Sequence, residues 1–126
     1  MEINELAVKA AVEKKAGNLD QALVLYSQAM DQIVRAAMKY ALKYEDVLEK
    51  IGNTETIREA YLIRVKEFYR KDETACRISN NMGVIFVEMG NYAAAKDMFI
   101  QAIDLTPEDV DYADPVESLE AVESLF

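Results

Sequence analysis

Residues 79–107 read SNNMGVIFVEMGNYAAAKDMFIQAIDLTP, and they spell two helices folded back on each other. Apolar residues recur at steps of three and four on both sides of Gly90-Asn91, which is the helical period and not the strand period. Gly90-Asn91 marks the turn, so the flanking helices are expected at about Ala75–Met89 and Tyr92–Leu105. Gly83 and Ala95 are small, so two antiparallel helices can approach closely there. Phe86 and Phe99 are expected to fill the space on either side. Pro107 cannot continue the second helix and marks its exit.

The spacing of Met82, Gly83, Phe86, Ala95, Phe99 and Pro107 resembles the tetratricopeptide repeat, with Ser79 where that pattern carries Trp. The chain start carries a weaker echo. Leu6, Ala10, Gly17, Asn18, Ala22, Tyr26 and Ala29 match Ser79, Gly83, Gly90, Asn91, Ala95, Phe99 and Ala102, each pair 73 residues apart. That offset is about two repeat periods plus a few residues. Between the two lies a different pattern. AGNLDQALVLYSQAMDQIV, KYALKYED and ETIREAYLIRVKEFYRK resemble the microtubule-interacting-and-trafficking three-helix domain over about residues 3–71, with a longer link before the third helix. A divergent repeat pair with an elongated second helix shares the same packing logic and stands as the alternative.

Outward from the quoted stretch, the remaining elements follow from periodicity and punctuation. A first helix is expected at Ile3–Lys15, with Leu6, Ala7, Ala10, Ala11 and Lys14 on one face. Asn18 and Gln21 have the spacing of a capping box. The next helix runs from Leu19 to Tyr44 and bends or continues toward Ile51. Its stripe is Leu19, Ala22, Leu23, Tyr26, Ala29, Met30, Ile33, Ala37, Met38 and Ala41. Gly52-Asn53-Thr54 breaks the chain, and a third helix covers Glu55–Arg70 with Ile57, Tyr61, Val65 and Phe68 on one face. Asp114-Pro115-Val116-Glu117 repeats the start signature, with Pro at the first helical position and a capping box. A last helix at Pro115–Leu125 would present Val116, Leu119, Val122 and Phe126.

Composition supports this. The chain has 126 residues, 4 Gly and 2 Pro, too few turn formers for an all-β protein of one domain. The expectation is an all-α, TPR-like antiparallel helical array (an α-α superhelix) over residues 1–126. It has about five long helices and a capping helix, divided into a three-helix unit (1–73), a clear repeat (74–107) and an acidic cap (108–126).

Charge and chemistry narrow the function. Residues 1–73 carry 12 Lys/Arg and 13 Asp/Glu, net −1. Residues 74–126 carry 2 and 10, net −8. Nucleic-acid binding needs clustered cations and is disfavoured. A basic protein surface suits the C-terminal end better. There is no His, which removes the usual general base and the commonest transition-metal ligand. Asp109, Asp111 and Glu120 hint at a calcium loop, but Ala113 and Asp114-Pro115 stand where a ligand and the Gly belong. No Gly-rich phosphate loop is present. Cys76 is single, which fits a reducing, cytoplasmic compartment, and Arg77 alone does not make it a reactive thiolate. No segment has the roughly 20 apolar residues of a membrane span. No cofactor is implied.

The expected role is therefore a non-enzymatic adaptor or scaffold that binds a peptide or amphipathic helix of another protein. A self-associating structural protein (a homo-oligomer) or an accessory subunit of a complex is the alternative. The resemblance places the partner groove on the first helix of the clear repeat, at Arg77, Asn80, Asn81, Val84, Val87 and Glu88. It also puts Asn81 where chaperone-binding members hold a peptide carboxylate, although the matching residues on other first helices are missing.

Overall fold

The computed structural model of the chain describes residues 1–43 and 54–126, with residues 54–57 described by backbone alone. Among the described residues there are six helices: α1 (Ile3–Lys15), α2 (Leu19–Leu42), α3 (Thr54–Tyr69), α4 (Thr74–Glu88), α5 (Tyr92–Leu105) and α6 (Asp114–Glu123). No strand occurs among the described residues. The all-α helical array is thus observed. The expected course beyond Leu42, through Tyr44, Glu45 and Ile51, and the Gly52-Asn53 break lie outside the described residues, as does the Ile57 side chain.

Helices α1–α2 and α4–α5 form two hairpins with the same turn. Gly17 and Gly90 both adopt left-handed backbone, at φ 84° and 77°, which only glycine enters without strain. The turn hydrogen bonds correspond pair by pair. Asn18 N–H donates to the Glu13 carbonyl at 2.9 Å, and Asn91 N–H donates to the Phe86 carbonyl at 2.9 Å. Gly17 N–H donates to Lys14 at 3.1 Å, and Gly90 N–H donates to Val87 at 3.0 Å. These pairs stand at the 73-residue offset seen in the sequence. The close-approach positions correspond too, with Ala10, Ala22 and Ala29 in one hairpin and Gly83, Ala95 and Ala102 in the other, all buried. Tyr26 and Phe99 are the large buried partners, 3% and 1% exposed.

The two hairpins differ in the length of the second helix: α2 has 24 residues where α5 has 14. The second half of α2 packs against α3, which returns the chain to the first hairpin and delivers α4 onto the flank of α2. Ala37 and Ala41 are buried in this half, while Met38 is 46% exposed. Arg70, just past α3, donates from Nε to the Asp104 carbonyl at 2.8 Å, and Lys66 reaches the Asp104 carboxylate at 3.4 Å, tying this excursion to α5. The main core joins α1, α2 and α4 through Leu6, Tyr26, Ile33, Ile78 and Ile85.

Three local expectations need correction. Asn18 caps nothing with its side chain; its amide donates to Glu13 Oε2 at 2.7 Å, so the Asn18–Gln21 capping box is absent. Its counterpart Asn91 does cap, accepting from Ala94 N–H at 3.2 Å. The difference is the carboxylate at Glu13, which captures the Asn18 amide. At α6 the N-cap is Ala113, and no side chain caps the helix. Helix α6 turns Leu119 and Val122 inward as expected, but Pro115 takes the inward place expected of Val116, and Phe126 lies outside. Val116 is 43% and Phe126 72% exposed. Val122 closes over Ala95 and Phe99, so α6 covers the open side of the second hairpin.

Candidate protein-binding surface

Helices α1 and α4 both pack against α2. Their C-terminal ends meet through Lys14 and Glu88, 3.7 Å apart. Their N-terminal ends are separated by a cavity of about 420 Å³. That volume lies within the range of ligand-binding cavities, roughly 300–1,000 Å³. Ile33 and Ala36 of α2 and Ile3 of α1 supply aliphatic lining. Phe68 and Tyr69 bring aromatic surface from the end of α3. Glu2, Asn4, Gln32, Lys71, Asp72 and Thr74 supply polar groups. The end of α3 and the joint after it close the cavity on the side away from α1 and α2 only in part, leaving it open to solvent at Glu2, Lys71 and Asp72.

Its walls are held in place. Gln32 Nε2 donates to the Met1 carbonyl at 2.7 Å and anchors the chain start beside α2. Asp72 Oδ1 accepts from Thr74 N–H at 2.9 Å and orders the entry to α4. The Tyr40 and Phe68 rings lie 5.6 Å apart, centroid to centroid, which fixes the end of α3 against α2. The Lys71 ammonium stands 4.1 Å from the Phe68 centroid. Burial pushes the Tyr69 hydroxyl above its ordinary pKa, with Tyr61 adding in the same direction.

The six residues expected to line a groove on α4 are divided among intramolecular contacts. Arg77 is exposed; its Nε donates to Glu73 Oε2 at 2.6 Å, and its guanidinium lies 4.5 Å over the Tyr112 ring. Asn80 is only 6% exposed and faces Tyr112. Its Oδ1 meets no donor among the described residues, a buried orphan of the kind that costs about 1–3 kcal/mol unless water satisfies it. Asn81 is half-buried, and its amide donates to the Tyr26 hydroxyl at 3.4 Å. Val84 and Val87 are half-buried and pack into the cluster that α6 covers. Glu88 is exposed and stands beside Lys14, 3.7 Å away. The structure therefore spreads these residues over two sides of α4. Asn81 and Glu88 face the first hairpin; Arg77 and Asn80 face Tyr112, and Val84 and Val87 face α6.

Cys76 is fully buried, and burial pushes its thiol pKa up, against smaller opposing pulls from Thr106 and Arg77. That is the environment of an inert thiol. Burial likewise raises Tyr26 and Tyr112, with the Asn81 hydrogen bond opposing the first and the Arg77 charge the second.

The cavity itself went unnoticed in the sequence. Its walls come from three stretches far apart along the chain, residues 2–4, 32–36 and 68–75. The local signal was the Phe68-Tyr69 pair next to the Lys71-Asp72 joint, which reads simply as a helix end. No family model and no curated protein matches the chain. No helix among the described residues is long and apolar enough to cross a membrane.

Proposed function

We propose that this chain is a non-enzymatic protein-interaction module, a cytoplasmic adaptor or scaffold that seats a peptide or helix of a partner protein. The observation that carries the reading is the cavity between α1, α2, α3 and α4, with aliphatic and aromatic walls and a polar rim. This is the makeup of a site that takes an apolar anchor and orients it with a few polar groups. The tetratricopeptide and microtubule-interacting-and-trafficking resemblances point to the same class of activity, since both families are binding scaffolds.

Ala36 is half-buried on the α2 wall, so Ala36→Phe fills the cavity while keeping a helix-compatible residue. Capture from a lysate of the source organism, with wild type and Ala36→Phe side by side, tests the site. A partner held by wild type and lost by Ala36→Phe supports the cavity. A partner retained by Ala36→Phe but lost by Arg77→Ala/Asn81→Ala moves the site to the α4 face.

Self-association is the second reading. Val8 and Val12 on α1 are 65% and 60% exposed, and Leu62 and Ile63 on α3 are 51% and 59% exposed. Paired exposed apolar residues of this kind can cover one another between copies. Sedimentation over a range of concentrations distinguishes it, because a mass that stays monomeric removes this reading.

A further inference from the structure

We infer that the cavity takes a basic segment of a partner, with a lysine or arginine laid across Phe68 and its charged head between Glu2 and Asp72. This rests on the docking reading above and names the partner's chemistry.

The aromatic wall already attracts a cation. The Lys71 ammonium, on the exposed joint after α3, lies 4.1 Å from the Phe68 centroid. An aromatic face carries negative quadrupole density, so it holds whichever cation reaches it. The aliphatic lining, Ile3, Ile33 and Ala36, suits the methylene stem of a long basic side chain. The rim supplies counter-charge. Glu2 and Asp72 are exposed carboxylates lining the opening, and neither makes an ion pair among the described residues. Glu2 and Asp72 against Lys71 leave the opening itself net negative, which draws a basic segment and repels an acidic one, although most of the chain's −9 lies in residues 74–126. Among the described residues Lys71 is the single opposing charge at the rim, and it stands on the ring the partner's cation would use.

That geometry gives two variants opposite signs. Lys71→Ala removes a competitor for the ring and a like charge, so it tightens binding of a basic segment. Glu2→Gln/Asp72→Asn removes the counter-charge, so it weakens binding, and the amide that replaces the Asp72 carboxylate still offers an oxygen to Thr74 N–H. The test uses the full chain and a fluorescein-labelled amphipathic helical peptide with Leu and Phe on one face and Lys and Arg on the other. A twin peptide replaces Lys and Arg with Glu. Binding is followed by anisotropy and located by amide chemical shifts.

The expected result is that the basic peptide binds and shifts amides around Ile33, Phe68 and Ala75, and that added salt weakens it. Lys71→Ala tightens it roughly two- to fivefold. Glu2→Gln/Asp72→Asn weakens it about two- to tenfold. Weaker binding by Lys71→Ala, or basic-peptide shifts confined to α5 and α6, overturns the inference. An acidic twin that binds the cavity as well as the basic peptide overturns it too, and leaves the docking reading standing. If neither peptide shifts the cavity amides, the docking reading falls with it.

Discussion

Replacing Gly83 with alanine sets two effects of opposite sign against each other. In an exposed helix interior, Gly→Ala stabilises by about 1 kcal/mol, because glycine loses more backbone freedom. Gly83 is buried where α4 meets α5. A Cβ built there would stand 2.7 Å from Phe99 Cδ1 and 2.9 Å from Phe99 Cζ. Carbon atoms prefer about 3.5–4.0 Å. The ring has little room to retreat, since Phe99 is 1% exposed and packs among Ala95, Val84 and Val122. Overpacking of this kind costs about 1–3 kcal/mol, and contacts this short put the cost near the upper end. Subtracting the propensity gain leaves a net loss of about 2 kcal/mol. For a chain of this size, about 3–5 °C of Tm accompanies each kcal/mol, so Tm should fall by about 6–10 °C. Urea unfolding followed by far-UV circular dichroism should show a lower midpoint at an unchanged slope. The cause is checked by a double mutant. Phe99→Leu alone destabilises by leaving a cavity, but in the Gly83→Ala background it also removes the clash. The two changes together should cost at least about 1 kcal/mol less than their sum. A Gly83→Ala protein as stable as wild type, or more so, would refute the close-approach argument.

Gly90 has open space around it but a φ of 77°, so its substitution tests backbone alone. Gly90→Ala should cost about 1–2 kcal/mol in thermal unfolding, and Gly90→Asn clearly less, because asparagine tolerates left-handed backbone. Arg70→Ala removes the bond to the Asp104 carbonyl and the contact with its carboxylate. With the Arg70 side chain 31% exposed, it should cost about 1 kcal/mol or less globally. Amide exchange should quicken along α3 more than along α4 and α5, and equal acceleration everywhere would contradict a local tether. Raised pKa values at Cys76, Tyr26, Tyr69 and Tyr112 mean that the folded chain holds these protons more tightly than the unfolded chain does. Their contribution is fully present below the unfolded values, about 8.5 for thiol and 10 for phenol, and is lost as pH rises through and beyond them. The urea midpoint should fall from neutral pH through about pH 10. A midpoint that rises over that range would contradict the burial of these groups.

How much was legible follows from how local each signal is. The boundaries of α1 and α5 match the sequence reading because periodicity, Gly stops and the Pro107 exit all act within a few residues. The 73-residue echo was equally readable, since a left-handed glycine turn and small close-approach residues leave the same marks wherever they recur. Side-chain capture was less legible. Asn18 turns to Glu13 and not to its own helix, a choice between two neighbours of similar reach. At the first turn of α6 it is Pro115 and not Val116 that is buried, because both are apolar and only the surface of α5 selects between them, while Leu119 and Val122 face inward as expected.

Sequence alone therefore determined the helices, their hairpin pairing and the all-α class, since each rests on contacts between residues close along the chain. Tertiary structure alone decided what the surface offers. It turned Asn80 and Asn81 toward Tyr112 and Tyr26. It put Val84 and Val87 under α6. It also opened a cavity where Ile3, Ile33, Phe68 and Ala75 converge. The physical reason is that burial depends on which helix lands on which flank, and that was settled by the long return of α2 and α3.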